Sequence, residues 1–515
     1  MNFAQHPLLR ITDARVADLE FSWDHIWGLF DGGRERMNIA HECIDRHPPD
    51  TIAARIAFAD GRFDEVTFGE LSRESSRFAH HVDGLGVRPG EPVGVMMDPS
   101  REFYAALFGI IKTGAVAVPL YTLFGPDALR DRLQDCGASV VVTDADTEAS
   151  AAALDVRRVL YDARLERRLA KLPATYVPAT ASDDTAVLQY TSGTTRQLPE
   201  AVRHEHRSVV TLARSALYAT GVRPGDRFFC PSSPAWGHGL WHGTIGPWSL
   251  GVAVGAWSGR FDVDVFADAL LRFEITNLSA ASTIYRMVLR AGRTDALAAL
   301  TKASYTGEEL GADAHEALRT ALDVPVCGIY GTTETGVIIV NFPGFTDHVP
   351  KPGALGKPMP GCRVTVLDDA GEPTPVGTTG EIAVHRRGAW LRAKDLGSID
   401  EDGFLHYAGR ADDVIISSGW TISPLEVERT LLSHPDVSEV AVVGVPDPIR
   451  GRVVKAFVIA TTDVGEALAR TLQELVKREL SPHEYPRELE FVDELPKTPS
   501  GKINHRVLRD RAAST

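Results

Sequence analysis

A short apolar run, a helical pattern and a second apolar run follow one another between residues 91 and 120. The two runs are EPVGVMMD and AVAVPL, and REFYAALFGIIKTG lies between them, with Ser100 placed to cap the helix. Two further runs, ASVVVTD at 138–144 and DTAVLQY at 184–190, have the same buried-strand pattern. Strands that are separated by helices usually pair in parallel and are covered on both faces. The pattern therefore predicts a layered α/β body with largely parallel strands.

The pattern changes from about Arg363, where strands are joined by turns rich in Gly and Pro. After GRADD at 409–413, the tail has its own signals: SEVAVVGV, VVKAFVIATT, a helix near 465–480 and ELEFVDELP. A chain of 515 residues is too long for one ordinary core. We predict a large N-terminal α/β domain of several subdomains at 1–411, with layered sheets and helices, and a small α+β domain at 412–515.

Charge and cysteine content limit the partners and the compartment. The net charge of -15 argues against nucleic-acid binding and against anionic membranes, which favour basic surfaces. Five dispersed cysteines without a C-x-x-C pair indicate reduced thiols. The N-terminus carries charges among its apolar residues, so it does not resemble a signal peptide, and no stretch of roughly 18 uncharged apolar residues predicts a membrane span. We expect a soluble, cytoplasmic protein.

A loop of small hydroxyl residues follows the strand that ends at Tyr190. Gly193 allows the backbone to approach a ligand closely, and backbone N–H groups with hydroxyls form a concave anion site. The spacing differs from the G-x-x-x-x-G-K-[ST] phosphate loop. An ordinary turn rich in Ser and Thr is the alternative. The residues of this candidate phosphate loop are Thr191, Ser192, Gly193, Thr194 and Thr195.

Three further motifs occur with this loop in a fixed order: GIYGTTETG at 328–336, KDLGSIDEDGFLHYAGRADDVI at 394–415 and LPKTPSGKINHRVLR at 495–509. Together the four blocks resemble the adenylate-forming superfamily of acyl- and aryl-CoA synthetases, luciferases and peptide-synthetase adenylation domains. MNIAHECIDRH at 37–47 and STIYRMVL at 282–289 are most similar to acetyl-CoA and medium-chain acyl-CoA synthetases. The resemblance implies that a carboxylic acid reacts with ATP to give acyl-AMP and pyrophosphate. A thiol, usually that of coenzyme A (CoA), then displaces AMP, and the small domain rotates between the two steps.

The resemblance also implies catalytic residues. Lys502 matches the lysine of the first half-reaction, where an ammonium group can bridge the carboxylate and the α-phosphate. Glu334 matches the Mg²⁺-binding glutamate, and Thr333 would contact the α-phosphate region. A solvated surface lysine is the alternative for Lys502.

Further residues match nucleotide-binding positions. Asp395 matches the aspartate that accepts the ribose hydroxyls, and Arg410 lies near the same nucleotide; a structural ion pair is the alternative. The Thr-Gly that usually precedes this aspartate is replaced by Ala393-Lys394, which leaves the shape of the loop open. Tyr330 resembles the aromatic residue that stacks on adenine. The remaining predicted nucleotide-binding residues are Gly307, Glu308, Gly331 and Thr332.

The predicted small domain carries the expected CoA contacts. Asp412 matches the hinge, and a domain rotation needs only one or two residues whose φ and ψ change. Ser418 and Gly419 match the tunnel for the pantetheine arm. Arg450, Arg452 and Lys455 form a basic cluster that could bind the CoA phosphates or could be a solvated face.

The phosphate loop departs from the superfamily pattern. After Thr195, the Gly-x-Pro-Lys of the superfamily pattern is replaced by RQLPE at 196–200, which is one residue longer and ends in Glu200 instead of lysine. A glutamate repels a triphosphate, so Glu200 cannot replace that lysine. Arg196, Arg203 and Arg207 are close in sequence, and we expect Arg196 to supply the missing positive charge.

The acid pocket is predicted from PSSPAWGHGLWHG at 231–243, from ASTIYRM at 281–287 and from the start of YGTTE. In acetyl-specific relatives a tryptophan stands at the position of Gly331, so its loss predicts an acid larger than acetate. The aromatic residues Trp236, Trp241 and Tyr285 indicate an apolar or aromatic acid. His238 and His242 have a spacing that could bind a metal on a helix, but nearby glycines argue against a regular helix and favour pocket lining. The predicted pocket residues are Trp236, His238, Gly239, Trp241, Tyr285 and Gly331.

Three activities remain open at this stage. The first is a CoA ligase that uses ATP, Mg²⁺, a carboxylic acid and CoA. The second is an adenylating enzyme with another acceptor, either a carrier-protein thiol or an amine, or one that adenylates nitrite. The third is a nucleotide-binding protein without catalysis, for which Glu200 is the evidence. The oligomeric state is also open, and a homodimer is among the forms allowed.

Overall fold

The computed structural model describes residues 6–152, 154–190, 201–307, 310–322, 324–332, 335–411, 415–417, 420–447, 451–481, 483–498 and 502–513. The chain divides into two compact units. The first holds the described residues up to Pro352 together with Pro358–Gly361, and the second holds Gly353–Lys357 and the described residues from Cys362 onward. The predicted domain boundary between Ala411 and Asp412 stays a prediction, because Asp412 lies outside the described residues.

Strands and helices alternate along most of the first unit. Its described strands are β1 (Ile52–Phe58), β2 (Phe63–Thr67), β3 (Pro92–Met96), β4 (Val116–Pro119), β5 (Val140–Thr143), β6 (Arg157–Leu160), β7 (Thr185–Tyr190), β8 (Ala201–Glu205), β9 (Phe228–Cys230), β10 (Val254–Ser258), β11 (Asn277–Ala281), β12 (Lys302–Thr306), β13 (Val326–Thr332) and β14 (Gly336–Val340). Its α-helices are α1 (Ala14–Leu19), α2 (Trp23–Trp27), α3 (Phe68–Gly84), α4 (Arg101–Thr113), α5 (Pro126–Cys136), α6 (Glu148–Ala151), α7 (Ala163–Leu169), α8 (Ser208–Tyr218), α9 (Gly246–Ser249), α10 (Val263–Arg272), α11 (Ser282–Arg290) and α12 (Ala312–Ala321). Short 3₁₀ helices occupy Pro7–Arg10 and Thr294–Leu297, and π-helices occupy His41–Asp45 and His238–Ile245.

Two sheets organise the first unit. In the six-stranded sheet the order is β6-β5-β3-β4-β7-β8, and β3 runs parallel to both β4 and β5. The predicted strand–helix–strand segment is confirmed, and the Ser100 hydroxyl accepts a hydrogen bond from the Phe103 amide at 3.1 Å at the start of α4. In the larger sheet β13-β12-β11-β9-β10-β1 are parallel, with β14 and β2 antiparallel at the two ends of this run. The prediction of largely parallel strands is therefore confirmed.

The second unit is built from smaller sheets. Its strands are β16 (Val364–Leu367), β17 (Gly380–Arg386), β18 (Ala389–Ile399), β19 (Leu405–Arg410), β20 (Ile415–Ser417), β21 (Trp420–Ile422), β22 (Val437–Asp447), β23 (Gly451–Ala460) and β24 (Glu488–Phe491); β15 (Lys357–Pro358) lies where the chain passes between the units. Its helices are α13 (Pro424–Leu432), α14 (Glu466–Glu479) and α15 (His505–Ala513). Strands β16 to β19 form an antiparallel sheet in chain order, and β22-β23-β24 form a second sheet. A larger unit and a smaller unit of mixed α and β structure confirm the predicted fold class.

The apolar runs of the tail are explained by burial on both faces of one sheet. Val440 and Val442 belong to one buried cluster, whereas Ala441 and Val443 belong to another cluster that includes Leu508 of α15. Successive strand residues point to opposite faces, so a strand covered on both sides needs a continuous apolar sequence. Full burial of each such valine is worth about 1.5 kcal/mol or more.

Two further observations concern the described residues as a whole. None of their helices combines the length and the apolar character that crossing a bilayer requires. The five cysteines are free thiols, and Cys43, Cys230 and Cys327 are buried.

Candidate active site

The strands that lead into the candidate phosphate loop form an antiparallel hairpin. Tyr190 of β7 is paired with Ala201 of β8, and the Tyr190 hydroxyl lies 2.7 Å from the Arg132 carbonyl oxygen and 2.7 Å from the Asp135 carboxylate. Burial raises the pKa of this hydroxyl well above its ordinary value, so Tyr190 is a neutral anchor. The loop residues predicted to bind phosphate, Thr191 to Thr195, lie outside the described residues, and their role stays a prediction.

Two of the three arginines considered as replacements for the missing lysine can be located. Arg203 is exposed on β8, and the guanidinium of Arg207 lies 2.6 Å from the Glu205 carboxylate. The charge of Arg207 is therefore already matched by a carboxylate of the protein. Arg196 and Glu200 lie outside the described residues, so the substitution of Arg196 for lysine stays a prediction.

The predicted acid-pocket segment folds as a π-helix rather than a regular α-helix. Glycines allow this helix to lie directly against the segment before it, because a Cβ atom at Gly239 would stand 2.2 Å from the Ser233 carbonyl oxygen and 2.3 Å from that of Ser232. A Cβ at Gly243 would similarly meet the Cys230 Sγ at 2.8 Å. π-Helical turns occur frequently at functional sites.

His238 is held between two serine hydroxyls. Its Nδ1 lies 2.9 Å from the Ser232 Oγ, and its Nε2 lies 2.9 Å from the Ser279 Oγ. The side chain is buried, and this desolvation lowers the pKa of the imidazole to about 3. His238 is therefore neutral at physiological pH, and both of its nitrogens already have partners.

Trp241 is joined to the hairpin that precedes the phosphate loop. Its indole Nε1 donates a hydrogen bond to the Gln189 Oε1 at 2.6 Å, and its ring centroid lies 4.2 Å from that of His204. The half-buried Trp236 lies near the start of the same π-helix, with its ring 5.3 Å from that of His238. The structure thus brings Trp236, His238 and Trp241 to one segment, and their binding of the acid stays a prediction.

Tyr285 lies deeper than a pocket-lining residue is expected to lie. It has no exposed surface, and its hydroxyl lies 3.1 Å from the Leu278 carbonyl oxygen and 3.0 Å from that of Ser304. Burial raises the pKa of this hydroxyl. Tyr285 is part of a large hydrophobic core cluster, so packing explains its presence.

The structure explains the glycine at position 331 differently from the sequence. It lies on β13 opposite Val337 of β14, next to an irregularity in the pairing, and a Cβ atom there would stand 2.1 Å from the Gly336 carbonyl oxygen. Glycine is therefore required by the close approach of two strands. This corrects the argument that the missing side chain at this position by itself opens space for a larger acid.

The neighbours of Gly331 on β13 are also placed. Tyr330 pairs with Ile339 and is partly exposed. The Thr332 hydroxyl lies 3.1 Å from that of Thr335, which also accepts a hydrogen bond from the Thr332 amide. Gly307 follows β12. Glu308, Thr333 and Glu334 lie outside the described residues, so the Mg²⁺ site and the α-phosphate contact stay predictions.

Asp395 and Arg410 face each other across β18 and β19. Their Cα atoms are directly paired, and the Arg410 guanidinium lies 3.5 Å from the Asp395 Oδ1. Asp395 is 4% exposed, so the arginine compensates a largely desolvated carboxylate. The ion pair is present, and the ribose contact of Asp395 stays a prediction.

Lys394, which stands where the superfamily has glycine, keeps a glycine-like backbone. Its φ angle is +60°, one of four positive values at residues other than glycine in the described chain. Its amide donates to the Glu381 carboxylate at 3.1 Å, and its carbonyl accepts a hydrogen bond from the Ala411 amide at 2.9 Å. These contacts hold a lysine in a conformation that costs roughly 1–2 kcal/mol for a residue with a Cβ atom.

Lys502 lies on a turn just before α15. The Thr498 amide donates to the Lys502 carbonyl oxygen at 2.7 Å, and the Lys502 amide lies 3.2 Å from the Thr498 hydroxyl. An isolated bridge between Lys497 and Ile503 closes the turn, and the Lys502 side chain is exposed. The backbone around the predicted catalytic lysine is thus held by hydrogen bonds, and the residue itself is exposed.

Lys455 differs from the exposed lysine that a CoA phosphate contact suggests. It is 6% exposed, and its Nζ lies 3.2 Å from the Glu490 carboxylate and 3.5 Å from that of Glu488. Two carboxylates already compensate its charge, whereas Arg452 on the same strand is exposed. The other predicted hinge and CoA residues, Asp412, Ser418, Gly419 and Arg450, lie outside the described residues.

Comparison with known proteins places this arrangement in a family. Residues 41–391 match the AMP-binding enzyme family, and residues 426–502 match the C-terminal domain of AMP-binding enzymes. The chain belongs to the AMP-binding enzyme family. It is an adenylate-forming ligase of the acyl- and aryl-CoA synthetase type, and enzymes of this family use ATP.

Three relatives define the similarity of this AMP-binding enzyme. An acetyl-coenzyme A synthetase of Bacillus subtilis (strain 168) is 30% identical, covering 92% of this chain and 90% of the relative. The crystal structure of an acyl-CoA synthetase from Brucella canis has a TM-score of 0.76 at 31% identity, covering 98% of this chain and 99% of the other. The crystal structure of the anthranilate CoA ligase AuaEII, in complex with anthranoyl-AMP, has a TM-score of 0.83 at 29% identity, covering 94% of this chain and 98% of the other.

Sequence reasoning missed several residues around the acid-pocket segment of this AMP-binding enzyme. Gln189 was treated as part of a strand, although it bonds Trp241 and its Nε2 lies 3.3 Å from the Ala235 carbonyl oxygen. Ser232 and Ser279, the partners of His238, are separated by 47 positions, and no local pattern joins them. The only signal for Gln189 was its polar side chain near the end of an otherwise apolar buried strand.

Proposed function

We propose that this enzyme activates a carboxylic acid larger than acetate, with an apolar or aromatic body, and transfers it to CoA. A carboxylate oxygen attacks the α-phosphorus of ATP, which breaks the bond to pyrophosphate and gives acyl-AMP. The CoA sulfur then attacks the acyl carbon and releases AMP, so the products are the thioester, AMP and pyrophosphate.

The observation that carries the proposal is the contrast between Asp395 and Lys502 in the second unit. Asp395 is a buried carboxylate oriented by Arg410, which suits the binding of neutral ribose hydroxyls. Lys502 is an exposed ammonium on a turn with a fixed backbone, which suits the stabilisation of charge that develops on phosphate oxygens.

Aromatic residues on the π-helix support an aromatic or apolar acid. The partly exposed Trp236 lies beside the start of this helix with its ring 5.3 Å from that of the buried His238, so an indole is available there for contact with a substrate. The similarity to an anthranilate CoA ligase agrees with this class. Because Gly331 is required by strand packing, the proposal of a larger acid rests on these rings and not on that glycine.

Magnesium and CoA complete the proposal. Glu334 would hold Mg²⁺ together with substrate phosphates, since this ion is usually bound through one or two carboxylates and retains water. Bound there, the ion would neutralise phosphate charge. Exposed Arg452 is a better candidate than Lys455 for contact with the CoA phosphates, because Lys455 is already paired with two glutamates.

The test is pyrophosphate release from a panel of fatty, benzoic and cinnamic acids, with and without CoA. We expect release that depends on the acid, and thioester formation when CoA is present. Lys502→Ala should slow acyl-adenylate formation by about 100-fold or more. Lys497→Ala is the matched control, because Lys497 is an exposed lysine on the same turn whose Nζ lies 3.0 Å from Glu439. Equal rates for the parent and the Lys502 variant would refute the mechanism.

A second acceptor deserves a parallel measurement because of Lys455. Its ammonium is compensated by Glu488 and Glu490, which weakens the case for a CoA phosphate contact by this lysine. An amine acceptor needs no such site. If acid-dependent pyrophosphate release occurs but mass spectrometry finds amide with an added amine and no CoA thioester, the enzyme is an amide-forming ligase.

A further inference from the structure

His242 is the third member of a row of rings at the start of the π-helix. The Trp236 and His238 ring centroids lie 5.3 Å apart, and those of His238 and His242 lie 6.3 Å apart. The outer two rings of the row, Trp236 and His242, retain accessible surface, whereas His238 between them is buried. The row therefore presents an indole and an imidazole at a partly open surface of the first unit.

The two nitrogens of His242 have different surroundings. Nδ1 is enclosed and has no hydrogen-bond partner among the described residues, whereas Nε2 is not enclosed and is bonded to no described side chain or backbone group. His238 differs, since both of its nitrogens are bonded to serines. Of these two histidines, His242 is the one with a nitrogen that can reach a ligand.

The protonation state of His242 follows from its surroundings. Burial lowers the pKa of the imidazole to about 4, so the ring is neutral at physiological pH and carries one N–H group. A buried N–H group without a partner is rarer and more costly than an unpartnered acceptor. The enclosed Nδ1 therefore carries the lone pair, and the accessible Nε2 carries the hydrogen.

We propose that His242 is a specificity-determining residue whose Nε2–H group donates a hydrogen bond to an oxygen substituent on the aromatic body of the substrate acid. The inference rests on the proposed function, and it narrows the substrate class to aromatic acids that carry a hydroxyl or ether oxygen. The donor is neutral, so a second carboxylate gains no charge pairing from it. An amino substituent on an aromatic ring is a weak acceptor, so an aminobenzoic acid gains less than a hydroxybenzoic acid.

The test compares acids that differ in one substituent. Initial rates of pyrophosphate release give kcat/KM for benzoic and cinnamic acids with hydrogen, methyl, amino, hydroxyl or methoxy at each ring position. We expect hydroxyl or methoxy at one position to exceed methyl at that position by about tenfold or more in the parent enzyme. His242→Phe keeps a ring but removes the donor, and it should abolish this ratio. His242→Gln keeps a donor and should retain part of it.

The outcomes separate this inference from the proposed function. Pyrophosphate release with no difference between oxygen and methyl substituents, or an unchanged ratio in a His242→Phe variant with the parental apparent melting temperature, overturns the role of His242 alone. If His242→Phe does not fold, the ratios of the parent and of His242→Gln decide the question. If no acid of either series or of the fatty series releases pyrophosphate, the proposed function fails, and this inference fails with it.

Discussion

Trp241 donates its indole hydrogen to the side-chain oxygen of Gln189 over 2.6 Å. Gln189 is the second-last residue of β7, and its Nε2 also lies 3.4 Å from the Pro234 carbonyl oxygen and 3.3 Å from that of Ala235. One buried amide thus joins the strand that leads into the candidate phosphate loop to the segment that begins the π-helix. Displacement of either element would break these contacts.

Replacement of Trp241 by phenylalanine tests this connection. The change leaves the Gln189 oxygen buried without its donor, which costs about 1–3 kcal/mol. Because the ring lies in the predicted acid pocket, we expect the KM for the acid to rise and the KM for ATP to change less. Each 1.4 kcal/mol of binding energy lost for the acid corresponds to about a tenfold rise in its KM. Steady-state kinetics with each substrate varied in turn provide the measurement.

Trp257→Phe is the matched control. Trp257 is also 5% exposed, and its Nε1 donates to the Gly259 carbonyl oxygen at 3.1 Å instead of to a residue of the hairpin before the phosphate loop. Its replacement should lower stability without a selective effect on the acid. Similar increases in the KM for the acid in both variants would show that the Trp241 effect is only a loss of stability.

Lys394→Gly should stabilise the protein. A left-handed conformation costs a residue with a Cβ atom roughly 1–2 kcal/mol, and part of this gain is offset by the greater freedom of glycine in the unfolded chain. The net increase should be about 0.5–1 kcal/mol, seen as a small rise in apparent melting temperature. Lys394→Ala keeps the Cβ atom and should give no rise; a rise in both variants would assign the effect to the lysine side chain.

Gly331→Ala should damage the enzyme. The added Cβ would stand 2.1 Å from the Gly336 oxygen and 2.7 Å from the Val337 Cα, so β13 and β14 must separate. We expect a loss of about 2 kcal/mol or more and reduced pyrophosphate release. Gly84→Ala is the control, because nothing lies within 4 Å of a Cβ atom there. If Gly331→Trp folded normally and accepted only acetate, the absence of tryptophan at this position would after all explain the acceptance of larger acids.

Stability should fall as the pH decreases from about 6.5 to 4. Burial disfavours the charged form of several histidines of the first unit and lowers the pKa most strongly in six of them: to about 3 for His238 and to about 4 for His47, His81, His204, His206 and His242. Their unfolded forms, with pKa values near 6.5, bind protons first as the pH falls, so protonation stabilises the unfolded state and lowers the free energy of unfolding. Each contributes up to about 1.4 kcal/mol per pH unit. Urea unfolding midpoints at pH 7, 6 and 5 should decrease steadily, and His81→Gln should reduce the slope.

Much of the fold could be predicted because buried strands and capped helices leave local patterns. The segment around α4, the strands β5 and β7, and the tail strands β22 and β23 were all found in this way. Local patterns do not record which distant groups meet. Tyr285 was interpreted as pocket lining although its hydroxyl bonds two strand carbonyls, and Lys455 was interpreted as a CoA contact although two glutamates of β24 compensate its charge.

Individual residues of the candidate site also depend on distant contacts that the sequence does not record. The ion pair between Asp395 and Arg410, which the sequence offered as the alternative to ribose binding, forms because the two residues pair on adjacent strands, and the ribose contact stays a prediction. The reason for Gly331 could not be read from sequence, since it depends on how closely β14 approaches. Likewise, only the structure distinguishes the bonded nitrogens of His238 from the accessible nitrogen of His242.

The two serine carbonyls beside Gly239 have a practical consequence for anyone who wishes to redirect this enzyme by directed evolution. A library that varies position 239 would consist mostly of variants that cannot form the π-helix, since even a methyl group collides with the main chain there. Substitutions at Trp236 and His242, which are partly exposed, change side chains of this segment and leave in place the glycine that its backbone requires.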